Sequence, residues 1–590
     1  MENNIVKVSL WGQTVGEIYW DEKRKQSCFS FSGDFIAKGL DIAPLTASIH
    51  NPLLARGEVY LGNKKDLYKG LPEFLADSLP DNWGERVMKH WADHYGGKVR
   101  LTPVDALSLM GKRSMGAFEF EPYMEKWEKT TDILLPELYE LASIIMEESK
   151  FPEGEDPLIH LQNLFSVGTS AGGKRPKAII AINRETGEIK SGQGLLPTEY
   201  KYYILKFNER KQFPTTLLEK TYYDMAVEAG IPMMPSSLMD INGTPNFLTE
   251  RFDRVNGVKV HTQTLAALAP EADSYEDLFS VARKLGVPNE ELVKLYRQTV
   301  FNFFGDNLDD HNKNFSFIMK QNGDWHISPA YDLCFTFDLT GMGFANRHEL
   351  SVCGKDKDIT KDDLLNFGKA NDIRAAESII KEVSDVLQSF KEYAAKNGVS
   401  EVYAEVIQKK LCQNLGIKSE TGREQMAGGD PGQLSIFDHI VIRKNKEKYA
   451  INASLKGSRL REKKILHEDY MAYSFGIVSK EKLAEKYFQE EIKQSKDKIK
   501  EYLVGIAIRL ANRLHPEREL SEDEKAVIRD YFSNIGSLEQ AKKVSDDIWD
   551  IAEASPDMKK APVWRRDARI VFEQVAGLNC EQELGNSLKR

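Results

Sequence analysis

The sequence predicts a bilobal α+β protein, preceded by a β-rich N-terminal subdomain and followed by a mostly helical C-terminal extension. Three observations carry this expectation. Alternating apolar and polar residues dominate two separate stretches, 4–60 and 177–254. Helical periodicity takes over beyond about residue 265, and a cluster of Asp, Asn and His interrupts it between 305 and 335. At 590 residues the chain far exceeds the roughly 100–200 residues of one ordinary domain. Its 41% apolar and 10% aromatic content can fill more than one core, which excludes wholesale disorder.

In chain order, IVKVSLWG and GEIYW alternate, and SCFSFSG follows the charged turn DEKRK, so residues 4–60 read as strands. Residues 70–120 carry turn-heavy text (LADSLPDNWGERVMKHW, then LMGKRSMGAFEFEP) and read as loops. LLPELYELASIIMEES reads as a helix, and the acidic FPEGEDP marks a break near residue 150. KAIIAIN (177–183) and EYKYYILKFN (199–208) read as antiparallel strands. LLEKTYYDMAVEAG is an amphipathic helix closed by Gly230, and TPNFLTERFDR (244–254) is another strand. The expected units are therefore a subdomain at 1–150, a β-rich lobe at 151–255 and a helical lobe at 256–415. Residues 416–432, rich in Gly and small polar groups, have linker composition. The extension at 433–590 opens with a strand pair, HIVIRKN and KYAINASL, then turns helical and charged.

Composition removes several function classes. Lys plus Arg total 80 against 90 Asp plus Glu, and a net charge of −10 excludes a general nucleic-acid coater. Cys28, Cys334, Cys353, Cys412 and Cys580 form no CxxC pair, and the eleven histidines form no HExxH pair. Neither a disulfide framework nor a cysteine-based zinc site is expected. The opening MENNIVKVSLWG lacks a secretory pattern, and no apolar run reaches the roughly 18–20 residues a membrane helix needs. A cytoplasmic protein without a membrane partner is the expectation.

The chemistry is concentrated in GDNLDDHNKNFSFIM (305–319) and WHISPAYDL (325–333). Phosphoryl transfer to a hydroxyl needs a carboxylate to accept the proton and an Asn to hold magnesium, spaced D-x-x-x-x-N on one loop. Asp309 and Asn314 have that spacing; Asp310 is one residue short. Asp332, after the strand-like WHIS, can supply the second magnesium carboxylate. GTSAGGK (168–174) satisfies G-x-x-x-x-G-K, yet Arg175, Pro176 and a strand follow it, not Ser or Thr and a helix. A Walker A loop is excluded, and a glycine-rich cover over phosphates fits better. Lys206, in the apolar strand YYILKFNE, suits the phosphate lysine, with Glu219 or Glu228 on the next helix as its partner. The order of these elements is that of a protein-kinase-like fold.

At these residues the chain resembles the HipA-type serine/threonine kinases, the toxins of bacterial type II toxin–antitoxin modules. The resemblance spans about residues 1–415. It rests on LPEFLADSLPDNWG (71–84), GKRSMGAFEF (111–120), SAGGKRPKA (170–178), ILKF (204–207), TERFDR (249–254), DDHNKN (309–314), AYDL (330–333) and HELSVCGK (348–355). It implies Asp309 as general base, Asn314 and Asp332 as magnesium ligands and Lys206 as the ATP-phosphate lysine. It further implies Gly172, Gly173, Lys174, Arg175, Pro176 and Lys177 as the phosphate loop. Glu250, Arg251 and Phe252 would be the adenine-holding linker, with His311, Asn312, Lys313 and Tyr331 completing the nucleotide site. Asp310 stands where some relatives have Gly, and is expected to be an exposed carboxylate without effect on catalysis. Ser170 matches a regulatory autophosphorylation serine, with Thr169 as the alternative hydroxyl.

The implied cofactors are ATP and Mg2+. The implied partners are a protein substrate and a HipB-like DNA-binding antitoxin, through which alone DNA would be contacted. Two other functions compete: a kinase-like binding module acting with that antitoxin, and a small-molecule phosphotransferase. Outside the resemblance, Gln433–Phe437 (QLSIF) is similar to the sliding-clamp-binding peptide of bacteria, or else opens a strand of the extension.

Overall fold

The computed structural model describes residues 5–80, 82–87, 101–122, 135–146, 175–208, 213–339 and 346–417, and beyond them 439–445, 448–455, 458–474, 480–490 and a few single positions. Residues 1–418 form one compact unit and residues 419–590 a second.

The first sheet holds β1 (Val6–Leu10), β2 (Gln13–Asp21), β3 (Gln26–Phe31), β4 (Tyr60–Leu61) and β5 (Phe118–Glu121), in the antiparallel order β4-β3-β2-β1-β5. Trp11 and Gly12, at φ 49° and 75°, make the two-residue hairpin whose twist matches its strands. Val6, Val8, Val15, Ile18 and Phe29 fill the core beneath it. The loop reading of residues 70–120 needs correction here. Glu73–Ala76 and Pro103–Met110 are helices, the second opened by a Thr102–Asp105 capping box. FEFE is an edge strand paired with β1, Leu10 opposite Phe118. Abundant turn residues hid elements that long-range pairing stabilises.

The second sheet runs β7-β6-β8-β10-β9, from β6 (Lys177–Asn183), β7 (Ile189–Ser191), β8 (Tyr200–Lys206), β9 (Ser236–Ile241) and β10 (Thr244–Glu250). The two strands expected at 177–183 and 199–208 are β6 and β8, with Lys177 opposite Lys206. The amphipathic helix is Thr215–Glu228, packed on β9 and β10 and followed by Gly230 at φ 78°. The strand expected at 244–254 ends at Glu250, because residues 251–253 turn to make an internal ion pair. The chain then forms a small hairpin, β11 (Arg254–Val255) and β12 (Val258–Lys259).

The rest of the first unit is helical around one three-stranded sheet, β13 (His261–Thr264), β14 (Ser316–Met319) and β15 (Trp325–Ile327). Helix Asn289–Phe304 delivers the chain to the polar loop at 305–315, and β15 delivers it to Asp332. Both loops thus leave rigid elements. In the second unit, the expected strand pair is β16 (His439–Asn445) and β17 (Lys448–Leu455), with β18 (Ser458–Arg459) and β19 (Lys463–Ile465) added to β17. Ile451, Ala453, Ile465, Leu483, Ala484 and Phe488 form its core. Gln433–Phe437 lies outside the described residues. Among the described residues, no helix is long and apolar enough to cross a membrane.

Candidate active site

Lys206 closes β8 and is only 9% exposed. Its Nζ donates to Glu219 Oε1 and, at 2.5 Å, to Asp332 Oδ1. Glu219 and Glu228 lie on opposite faces of one helix, so only one can point inward. Glu219 is buried and Glu228 is exposed, which decides the alternative left open by sequence. Burial alone would lower the Lys206 pKa, but the Asp332 and Glu219 carboxylates outweigh it and hold it well above the ordinary lysine value. Burial would likewise raise Asp332, yet Lys206 and Arg175 outweigh it and keep its carboxyl well below the usual carboxylate range. Both groups are therefore charged at neutral pH. Asp332 holds the left-handed conformation, φ 58°, as the residue that re-aims the loop.

The polar loop is hydrogen-bonded to the segment that follows Asp332. Leu308 and Asp309 both donate their backbone N–H to Thr336 Oγ1, at 2.7 and 3.2 Å, while the Thr336 N–H donates to the Asp306 carbonyl at 3.0 Å. Asn314 Nδ2 donates to the Asp309 carbonyl at 2.6 Å, closing the loop on itself. These bonds bring the loop of Asp309 and Asn314 against that of Asp332. The Asp309 side chain is 59% exposed, with His311 Nε2 at 3.8 Å. Asp310 corrects an expectation: it is not an exposed carboxylate but completely buried, accepting from Tyr275, His348 and the Glu349 N–H. Thr336 was not foreseen; a lone hydroxyl in the apolar LCFTF, four residues after Asp332, was its only signal.

The other expected nucleotide residues fall into three groups. Arg175 Nη1 lies 3.7 Å from Glu219 Oε2, the Pro176 carbonyl accepts from the Phe207 N–H, and the buried Lys177 gives its carbonyl to Trp83 Nε1 at 2.9 Å. Phe252 stacks on Tyr331 with centroids 5.9 Å apart, and the Tyr331 hydroxyl donates to the Lys313 carbonyl at 2.8 Å. The Lys313 N–H donates to His311 Nδ1, the Asn312 carbonyl accepts from Ala266, and Glu250 pairs with Lys201 at 2.7 Å. Gly172, Gly173, Lys174, Ser170 and Thr169 lie outside the described residues.

The Arg251 side chain is buried and forms a bidentate pair with Asp253, both bonds 2.8 Å. Asp253 also accepts from Arg254 Nη1 and from the Gly116 N–H, each at 2.8 Å. Arg254 donates on to the Ser114 and Gly116 carbonyls. Two sequence motifs, TERFDR and GKRSMGAFEF, are thus one interlock between the first subdomain and the β-rich lobe. A side chain at Gly116, φ 72°, would also press on the Thr262 backbone at 3.2 Å.

Two lobes meeting at a Lys–Glu–Asp constellation, with an Asp/Asn loop beside it, define a protein-kinase-like fold. Comparison with known proteins narrows the class. The profile of the HipA N-terminal domain matches residues 6–121, and that of the HipA-like C-terminal domain matches residues 169–392. The chain belongs to the HipA-type family. A curated relative from Sinorhizobium fredii, "Putative kinase Y4mE", is 28% identical over 183 residues, 28% of this chain and 42% of the relative, so less than half of that protein is matched. A solved structure of HipA from Shewanella oneidensis MR-1, in complex with HipB and its operator DNA, superposes with a TM-score of 0.50 at 16% identity, covering 70% of this chain and 98% of that one. The Helicobacter pylori proinflammatory kinase CtkA gives a TM-score of 0.29 at 13% identity, covering 37% of this chain and 85% of its own.

Proposed function

We propose that this chain is an ATP- and Mg2+-dependent protein serine/threonine kinase of the HipA type, a growth-inhibiting toxin restrained by a HipB-like DNA-binding antitoxin. The observation that carries the reading is the buried Lys206 between Glu219 and Asp332, with the segment after Asp332 hydrogen-bonded through Thr336 to the loop of Asp309. A binding module without catalysis would not need these charges desolvated together.

The residues present suit magnesium. Asp332 is held ionised and Asn314 adds an amide oxygen, a sparse oxygen set of the kind magnesium uses together with phosphates and water. Among the described residues no cluster of three or more His, Cys, Asp or Glu offers a competing metal site. When bound, the ion supplies positive charge at the transferring phosphoryl group. Lys206 adds a second, fixed positive charge where Glu219 holds it. Asp309 projects from a pinned backbone and accepts the proton of a substrate Ser or Thr hydroxyl as that oxygen attacks.

Lys206→Ala removes the point charge and leaves Glu219 buried opposite Arg175 alone. ATP affinity and turnover are both expected to fall, turnover by about 100-fold or more. A purified-protein assay with radiolabelled ATP reads both, and near-normal turnover would refute the lysine's role.

Ser170 is the proposed autophosphorylation site, with Thr169 as the alternative. A phosphate there adds about −1.5 to −2 charge in a glycine-rich segment, repelling ATP's phosphates. Mass spectrometry after incubation with ATP should find it, and the phosphoprotein should bind ATP more weakly. Unchanged affinity after modification would refute the mechanism. Phosphoproteomics after controlled expression, wild type against Asp309→Asn, identifies the protein substrate.

A further inference from the structure

Asp309 and Asp310 are neighbours with opposite environments, one largely in solvent and the other completely excluded from it. The Asp310 carboxylate has three donors on two oxygens. Oδ2 accepts from the Tyr275 hydroxyl at 2.7 Å and from His348 Nδ1 at 2.9 Å, and Oδ1 accepts from the Glu349 N–H at 2.9 Å. A carboxylate oxygen is met by a donor, which at this contact is the Nδ1–H tautomer of His348. Burial, then the Asp310 charge, hold the Tyr275 hydroxyl far above its ordinary pKa, so it stays a donor.

The donors are themselves immobilised. Asn302 Nδ2 donates to the Tyr275 oxygen at 3.0 Å, and Asn307 Nδ2 to Asn302 Oδ1 at 3.0 Å. The Tyr275 N–H donates to the Ser351 carbonyl and the Ser351 N–H to the Asp273 carbonyl, joining the 348–351 segment to the start of helix Tyr275–Lys284. Phe303 lies against both rings, with centroids 4.3 Å from His348 and 5.0 Å from Tyr275. Burying a carboxylate with no Lys or Arg among its hydrogen-bond partners is costly unless several fixed donors compensate it, as these three do. Such an arrangement is rigid.

The Asp309 carboxylate has no such scaffold of its own. His311 Nε2 lies 3.8 Å from its Oδ1. What places the carboxylate is its backbone, held on the N-terminal side by Thr336 and on the C-terminal side by Asn314, whose Nδ2 donates to the Asp309 carbonyl, and by the groups that hold Asp310. We infer that Asp310, anchored by Tyr275 and His348, is a positioning residue that aims Asp309 at the substrate hydroxyl. The HELS segment, far in sequence from the loop, thereby becomes part of the phosphoryl-transfer machinery. The inference rests on the reading of Asp309 as the general base.

The test compares His348→Leu with His348→Asn in the full chain. Both lose the ring packing on Phe303, but Asn keeps an N–H donor near the Nδ1 position and Leu does not. His348→Leu is expected to lower kcat about 10- to 100-fold with the KM for ATP little changed, since a misaimed group of about 1 Å costs that much. His348→Asn should restore most of it. Equal kcat in the two variants, or a loss carried by the KM for ATP, would overturn the inference. Amide hydrogen exchange of residues 306–314 is a second readout that needs no turnover. Exchange should rise in His348→Leu and return in His348→Asn, and an unchanged rate in both would overturn the inference. If wild-type protein transfers no phosphoryl group, the kinase reading fails while exchange still decides whether Asp310 holds the loop.

Discussion

Asp309→Ala is expected to reduce phosphoryl transfer by at least two to three orders of magnitude, about the contribution of a well-placed general base. The residue is a surface carboxylate at the end of a pinned loop, so its removal leaves no cavity and no stranded partner. Among the described residues, His311 Nε2 stands 3.8 Å from its side chain, and Asn314 bonds the Asp309 backbone carbonyl, not its carboxylate. Stability should therefore stay within about 0.5 kcal/mol of wild type, as for ordinary surface substitutions. ATP affinity should likewise persist, because Lys206, Asp332 and Asn314 remain. Single-turnover transfer, nucleotide titration and thermal melting on one preparation separate these effects. Near-normal transfer would remove Asp309 from the mechanism, and buried Asp310 could not replace it.

Asp253→Ala should have the largest effect on stability, a loss of about 3–5 kcal/mol, the usual result of removing one member of a buried ion cluster. Arg251 and Arg254 would be left as like charges with exposures of 1% and 6% and no anion between them. Burial by itself would raise the Asp253 pKa, but the two guanidinium groups outweigh it and hold the carboxyl well below its ordinary range. A depressed pKa in the folded state means stability that is present above the unfolded carboxylate value and is lost as pH falls. The wild-type denaturation midpoint should therefore drop on acidification, and Asp253→Ala should flatten that dependence. Urea titrations at neutral and acid pH measure both. A mutant as stable as wild type at neutral pH would mean that the cluster's desolvation cost cancels its attraction.

The part of the site that lies close together in sequence was legible without a structure. Asp309 to Asn314 is one loop, and AYDL follows one short hairpin later, β14 and β15, so local spacing already groups the candidate residues. Lys206 in its strand and the helix after it were readable for the same reason. Alternation and helical period depend on neighbours a few residues apart, and they located β6, β8 and the helix Thr215–Glu228. What they leave undetermined is the direction in which a polar residue points when its partners are distant. Asp310 reads as one more turn carboxylate, and only the approach of Tyr275 and His348 makes it a buried anion.

The burial of the Arg251 side chain has the same origin: it pairs with Asp253, which also accepts from the Gly116 N–H of the first subdomain. The edge strand β5 went unread because its stabilising partner, β1, lies more than a hundred residues earlier. The sequence by itself therefore determined which polar groups the candidate site contains and which elements carry them. Tertiary structure alone decided that Glu219 and not Glu228 meets Lys206, that Thr336 holds the Asp309 backbone, and that Asp310 is buried among hydrogen-bond donors. The physical reason is that charge and hydrogen-bonding capacity are properties of a residue, whereas burial and partnership arise only when distant segments pack.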